Sequence, residues 1–156
     1  MSNRLISDNI LVAFETFHYM RNHNKGKIGF MALKLDMSKA YDRVEWSFME
    51  KVLVKMGFQD SWVKLMMVCI TMALYLVLIK GDPHGHITPS RGLRQGDPLS
   101  PYLFFMCTEG LHGLINKATT NGDIRGVSIC HNGPKITHLF FVDDSLIFCW
   151  DKESEC

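Results

Sequence analysis

The sequence predicts an α+β domain in which helices pack on one face of an antiparallel sheet. Three observations carry that expectation. Apolar strand-like runs alternate with helix-spaced stretches along the chain. The last two runs, 136–142 and 146–150, flank Asp143 and Asp144 as the arms of a β-hairpin flank its turn. Asp97-Pro98 opens the longest helical stretch, with Asp as N-cap and Pro at the first helical position.

Taken in order, Ser7 or Asp8 is placed to cap a helix reaching about residue 22. Ile10, Leu11, Phe14, Phe17, His18 and Met20 supply its apolar face. After an Asn-Lys-Gly-Lys turn at 24–27, residues 29–36 form an apolar run that suits a buried strand and ends on Asp36. Residues 42–56 return to helical spacing through Val44, Phe48, Val52 and Met56, with Asp42 as cap and Gly57 past the end. A helix follows over 60–71, with Trp62, Leu65, Met66 and Cys69 inward. Strands over 74–80 and 85–91 surround a Gly81-Asp82-Pro83 turn. Pro101 is tolerated in the first turn of the helix opened by Asp97, which runs to 117 or 118. A loop at 120–122, a short strand at 127–130 and a turn at 132–134 lead into the final hairpin.

With 156 residues the chain is long enough for one domain and one sizeable core. Its formal net charge of +1 lacks the bulk basicity that phosphate neutralisation demands of many nucleic-acid binders. Basic residues do gather early, at Lys25, Lys27, Lys34, Lys39 and Arg43, a spacing that suits a solvated face or a binding patch. Five cysteines without CxxC spacing predict reduced thiols rather than a zinc site or disulfide framework. No secretory signal opens the chain, and the apolar stretch 73–79 is too short to span a bilayer. The expectation is a protein of the cytoplasm or nucleus, neither secreted nor membrane-bound. Both termini read as cuts in a longer polypeptide.

Three acids stand where acids are awkward. Asp36 ends one apolar strand, and Asp143 with Asp144 interrupts another. Adjacent carboxylates repel unless a cation neutralises them, and hard oxygen ligands suit Mg²⁺. Two such ions are a general solution for in-line displacement at phosphorus. Asp-Asp also satisfies a tight turn with no metal involved, and both readings stand at this point. If the acids share metal, their strands must be neighbours. Between them lies Gly-Leu-Arg-Gln-Gly-Asp-Pro-Leu-Ser-Pro at 92–101. There Gly96 admits close backbone approach of a partner, and Gln95 offers an amide to it.

These segments carry a family resemblance. LDMSKAYDRVEW (35–46) resembles the reverse-transcriptase motif bearing the first metal-binding aspartate. GLRQGDPLSPYLF (92–104) resembles the template- and nucleotide-contacting motif. FVDD (141–144) resembles the signature with two further aspartates, and RLISDNILVAFE (4–15) looks like the end of the fingers-to-palm segment. The chain is thus similar to the polymerase palm of plant LINE-type (non-LTR) retrotransposons. Residues 1–156 would be a partial reverse-transcriptase domain, the end of the fingers plus the palm.

The resemblance implies RNA-directed DNA synthesis, adding dNTPs to a DNA primer on an RNA template. It implies Asp36, Asp143 and Asp144 as the catalytic, metal-binding acids, holding two Mg²⁺ ions, with Mn²⁺ as the alternative. Asp36 and Asp143 would be direct ligands, and Asp144 would shape the second site or the turn. It assigns Met37, Ser38, Lys39, Ala40 and Tyr41 to the nucleotide, with Tyr41 under the sugar as a gate on the 2′-hydroxyl. It sets Gln95 and Gly96 beside the nascent base pair. Lys39 and Arg43 would screen the triphosphate. Val142 departs from the small Ala usual before the paired aspartates. The thumb and most of the fingers would have to come from a parent polymerase. A catalytically silent remnant that folds and binds nucleic acid weakly is the alternative. An RRM-type module is disfavoured, since Phe140, Phe141 and Phe148 flank acids instead of forming a stacking platform.

Overall fold

In the computed structural model, residues 6–23, 29–131, 133–141 and 144–151 are described. Among the described residues there are four α-helices: α1 (Ile6–His23), α2 (Trp46–Lys55), α3 (Asp60–Thr71) and α4 (Ser100–Asn121). The strands are β1 (Phe30–Asp36), β2 (Tyr75–Ile79), β3 (Asp82–Ile87), β4 (Val127–Ser128), β5 (Lys135–Ile136), β6 (His138–Phe140) and β7 (Asp144–Trp150). The architecture is α+β with antiparallel pairing, as expected. β1, β7 and β6 form one sheet with β7 central, while β2–β3 and β4–β5 are separate ribbons.

The chain divides into two compact units, Lys39–Gly110 and the remainder, so the single core expected from length is replaced by two clusters. In Lys39–Gly110, Val44, Met49, Leu53, Val63, Leu93, Leu103 and Cys107 are buried together. In the other unit, Ala13 and Met20 of α1 pack with Val127, Leu139 and the fully buried Phe148 of β7. Phe17 meets Phe148 edge-on, ring centroids 5.7 Å apart.

Several boundaries differ from the sequence expectation, each for a local reason. α1 already includes Ile6, so Ser7 and Asp8 lie inside its first turn rather than capping it. Its buried residues are Ala13, Thr16 and Met20, while Ile10, Leu11, Phe14 and Phe17 are exposed. Thr16 can be buried because its hydroxyl donates to Val12 O at 2.6 Å, which satisfies it locally. Residues 41–43 form a 3-10 turn, and α2 begins only at Trp46 after Glu45, so Asp42 does not cap it. The end of α2 is as expected: Gly57 N donates to Val54 O and Phe58 N to Leu53 O, a Schellman closure.

In α3, Val63 is the buried residue, and Leu65 and Cys69, expected inward, are exposed. The β2–β3 turn is Lys80-Gly81, both with positive φ (54 and 91), and Asp82 already pairs with Ile79. Every residue of this ribbon is exposed. Asp97 shapes the turn before α4 instead of capping the helix: its carboxylate accepts from Leu99 N at 2.8 Å, and the helix starts at Ser100. The second half of β1 is exposed, so this strand is not the fully buried one expected. The turn expected at 24–27 lies outside the described residues.

Candidate active site

The expected acids are set by the sheet. β1 pairs antiparallel with β7 in a register that sets Asp36 opposite Asp144. Directly opposed residues share a sheet face, with Cβ atoms roughly 4.5–5.5 Å apart. The chain thus carries two carboxylates to one end of the ladder, on neighbouring strands as shared chemistry would require. β6 pairs with β7, and Phe141 N donates to Asp144 O at 2.8 Å, closing the expected hairpin. Asp143 and Val142 lie outside the described residues.

Like charges facing across a ladder are destabilising unless neutralised. The neutralising group is Lys34, expected only as one of a cluster of basic residues and not as a partner of the acids. Lys34 lies two residues before Asp36, hence on the same face, and its Nζ is 3.0 Å from Asp144 Oδ2. The strand period was the signal that could have found it. The donor set suits a hard divalent cation: carboxylate oxygens from adjacent strands, at a point negative enough to draw an ammonium. Among the described residues no group of three His, Cys, Asp or Glu side chains is gathered.

The second group of expected residues lies in Lys39–Gly110, apart from Met37 and Ser38, which follow β1 and are exposed. Lys39 takes φ 57, and the turn it begins is closed by Asp42 N to Lys39 O and Arg43 N to Ala40 O. Ala40 is buried; Lys39 and Arg43 are exposed. Tyr41 is half-buried and stacks nearly parallel on Phe104, centroids 4.7 Å apart at 10°. Two motifs distant in sequence are clasped here. Leu93 N donates to Tyr41 O, Gly92 N to Val44 O, and Trp46 Nε1 to Gly92 O, each at 2.8 Å.

Gln95 is exposed, and a methyl group placed on Gly96 would meet no atom within 4 Å, leaving that side of the backbone open. Gly96 also has φ +84, a conformation that favours glycine for its own sake. A cavity of about 700 Å³, not foreseen from sequence, is lined by Trp46, Tyr75, Arg91, Arg94, Gln95 and Asp97, among others.

No helix among the described residues is long and apolar enough to cross a membrane. The family model described as Reverse transcriptase (RNA-dependent DNA polymerase) matches residues 2–155. An uncharacterized mitochondrial protein of Arabidopsis thaliana is 53% identical over 75 residues, 48% of this chain and 62% of that protein. A retrovirus-related Pol polyprotein from the type-1 retrotransposable element R2 of Popillia japonica is 30% identical over 131 residues, 83% of this chain and 20% of its own length. The transposon TX1 uncharacterized 149 kDa protein of Xenopus laevis is 26% identical over 95% of this chain and 11% of its own length. The chain thus spans less than two thirds of each of these relatives. Among solved structures, apo telomerase from Candida tropicalis truncated from its C-terminal domain superposes with a TM-score of 0.62. It does so at 15% identity, over 97% of this chain and 30% of that one, a likeness of fold.

Proposed function

The chain belongs to the reverse transcriptase (RNA-dependent DNA polymerase) family, and from that premise we propose that it is the palm of a non-LTR retrotransposon polymerase. Its reaction would be transfer of a dNTP to a primer 3′-hydroxyl on an RNA template. The observation that carries this reading is the Asp36–Asp144 register pair at the end of the β1–β7 ladder.

In this reading Asp36, Asp143 and Asp144 would hold two Mg²⁺ ions, with Asp144 giving its carboxylate to the second. Bound there, the ions would activate the 3′-hydroxyl for attack on the α-phosphate and stabilise the departing pyrophosphate oxygen. The protein's own part is positioning. Tyr41, held flat by Phe104, forms a rigid surface for the sugar. The backbone amides of Met37 to Tyr41 would face the triphosphate. Gln95 and the open side of Gly96 border the nascent base pair. RNA template, DNA primer and dNTPs are the partners, together with the fingers and thumb of the parent polymerase. The setting is intracellular, in cytoplasm or nucleus.

Primer extension tests this. The chain alone should incorporate no measurable dNTP, because the clamps for template and primer lie in other parts of a polymerase. Substituted for the corresponding segment of a full-length relative, it should support extension, and Asp143→Asn or Asp36→Asn should abolish it. Extension that survives Asp36→Asn would sink the site. A chimera that folds but never extends would favour the silent-remnant reading, which the exposed apolar strand β2 also suits.

A further inference from the structure

Lys34 has no part in the chemistry described above, yet its ammonium sits on one of the site's carboxylates. The register explains how it gets there. Lys34 is opposite Leu146 and Asp36 is opposite Asp144, so Lys34 reaches diagonally along one face to the first residue of β7. Its side chain is 60% exposed and that of Asp144 34%, so the carboxylate is the more buried of the two partners. A lysine is suited to such a place. Its ammonium is a point charge on a flexible stem, whereas an arginine fork would grip a carboxylate through two bonds.

We propose that Lys34 is the built-in counter-cation of the metal-free site, holding Asp144 Oδ2 and releasing it when a divalent cation is bound. Lys34 thereby sets the affinity of the site for metal. This rests on the polymerase reading of Asp36 and Asp144. It adds a positioning residue that acts through Asp144 and need not touch substrate. The ammonium and the divalent cation compete for the same oxygen, so the side chain at position 34 tunes the outcome of that competition. An uncharged side chain there leaves Asp144 open to metal, and a bidentate one closes it.

The test is Mn²⁺ titration of the full 156-residue chain, without nucleotide, read from the electron paramagnetic resonance signal of free Mn²⁺. Thermal melts run in parallel with and without the ion. Lys34→Met should bind Mn²⁺ roughly two- to fivefold more tightly than wild type, the scale an exposed ion pair supports. Lys34→Arg should bind more weakly than wild type. Without metal, Lys34→Met should melt below wild type, and saturating Mn²⁺ should close the gap.

Equal affinities for Met, Lys and Arg at position 34 would overturn the proposal while leaving the polymerase site standing, provided Asp144→Asn still weakens Mn²⁺ binding. Weaker binding by Lys34→Met would also overturn it, since Lys34 would then assist the metal instead of competing with it. If Asp144→Asn leaves wild-type Mn²⁺ binding unchanged, both the proposal and the site beneath it fail.

Discussion

Trp46 and Gly92 are joined by an indole-to-carbonyl hydrogen bond of 2.8 Å, which ties the segment after Asp36 to the segment that opens α4. Gly92 is fixed there on every side. It has φ +93, and a Cβ on it would lie 3.0 Å from Asp42 O and 3.1 Å from Asp42 Cα, both backbone atoms that cannot yield cheaply. Gly92→Ala should therefore cost about 2–4 kcal/mol, the left-handed strain and the collision adding together. Gly96→Ala has similar strain but open space, and should cost about 1–2 kcal/mol. Urea denaturation of the two variants checks the order, and equal losses would refute the collision.

Phe148 should be the most costly truncation in the sheet. It is fully buried at the centre of β7, between the packed residues of α1 and the neighbouring strands. Phe148→Ala should lose about 3–5 kcal/mol from the transfer and cavity terms together. Calorimetric melting measures it. A loss below about 1 kcal/mol would mean that α1 does not hold this face.

His138 should give stability a pH dependence. Asn116 Nδ2 donates to His112 Nε2 at 2.8 Å, and His112 Nδ1 lies 2.6 Å from His138 Nε2. His138 Nδ1 lies 2.8 Å from Thr137 Oγ1, completing the chain. Burial, and after it the charge of His112, push the His138 pKa down to about 4. The unfolded chain takes up this proton near pH 6.5, at roughly the usual histidine value, while the folded ring refuses it. The contribution is fully present above about pH 6.5 and is lost as pH falls toward 4. Discounted for partial exposure, it amounts to roughly 1–3 kcal/mol. His138→Gln should flatten the difference in stability between pH 7 and pH 4.5, and an unchanged slope would count against the histidine chain.

Thiol reactivity should split by position. Burial pushes the Cys107 pKa up to about 11, so little thiolate exists at pH 8, and Cys149 is also buried. Cys69 and Cys130 are exposed. Iodoacetamide followed by peptide mass spectrometry should label Cys69 and Cys130 in the native chain and reach Cys107 only with denaturant. Early labelling of Cys107 would show that the end of α4 nearest it opens readily.

Much of the fold can be read in the sequence because the periods are local. The 60–71 helix, the strand ending at Asp36 and the terminal hairpin all depend on spacing within a few residues. What could not be read depends on partners. In α1 the bulky stripe Ile10, Leu11, Phe14 and Phe17 looks like the inner face, yet the small and self-satisfied Ala13 and Thr16 lie inward beside Met20. Hydrophobicity ranks side chains but does not say which of them a neighbouring sheet leaves room for. Asp36 and Asp144 could be singled out as neighbours because acids in apolar strands are costly. Lys34 could not be, because a lysine at a strand edge is ordinarily solvated and only the β1–β7 register shows what it faces. The clasp from Trp46 to Gly92 spans too much sequence for any local pattern to reveal.

The pairing of β1 with β7 also sets the order in which the chain can fold. Residue 36 leaves the ribosome long before its opposite number at 144, and β1 has β7 as its neighbour in the sheet. At roughly 5–20 residues per second of synthesis, several seconds pass with the backbone of β1 unpaired by β7. Lys39–Gly110 waits for nothing comparable, since its buried cluster lies within its own stretch of sequence. Long-range strand pairing is slow for the same entropic reason on refolding from denaturant. The two acids should therefore meet last, and a nascent chain stalled before residue 144 should be cut by proteases near β1 while its middle third resists.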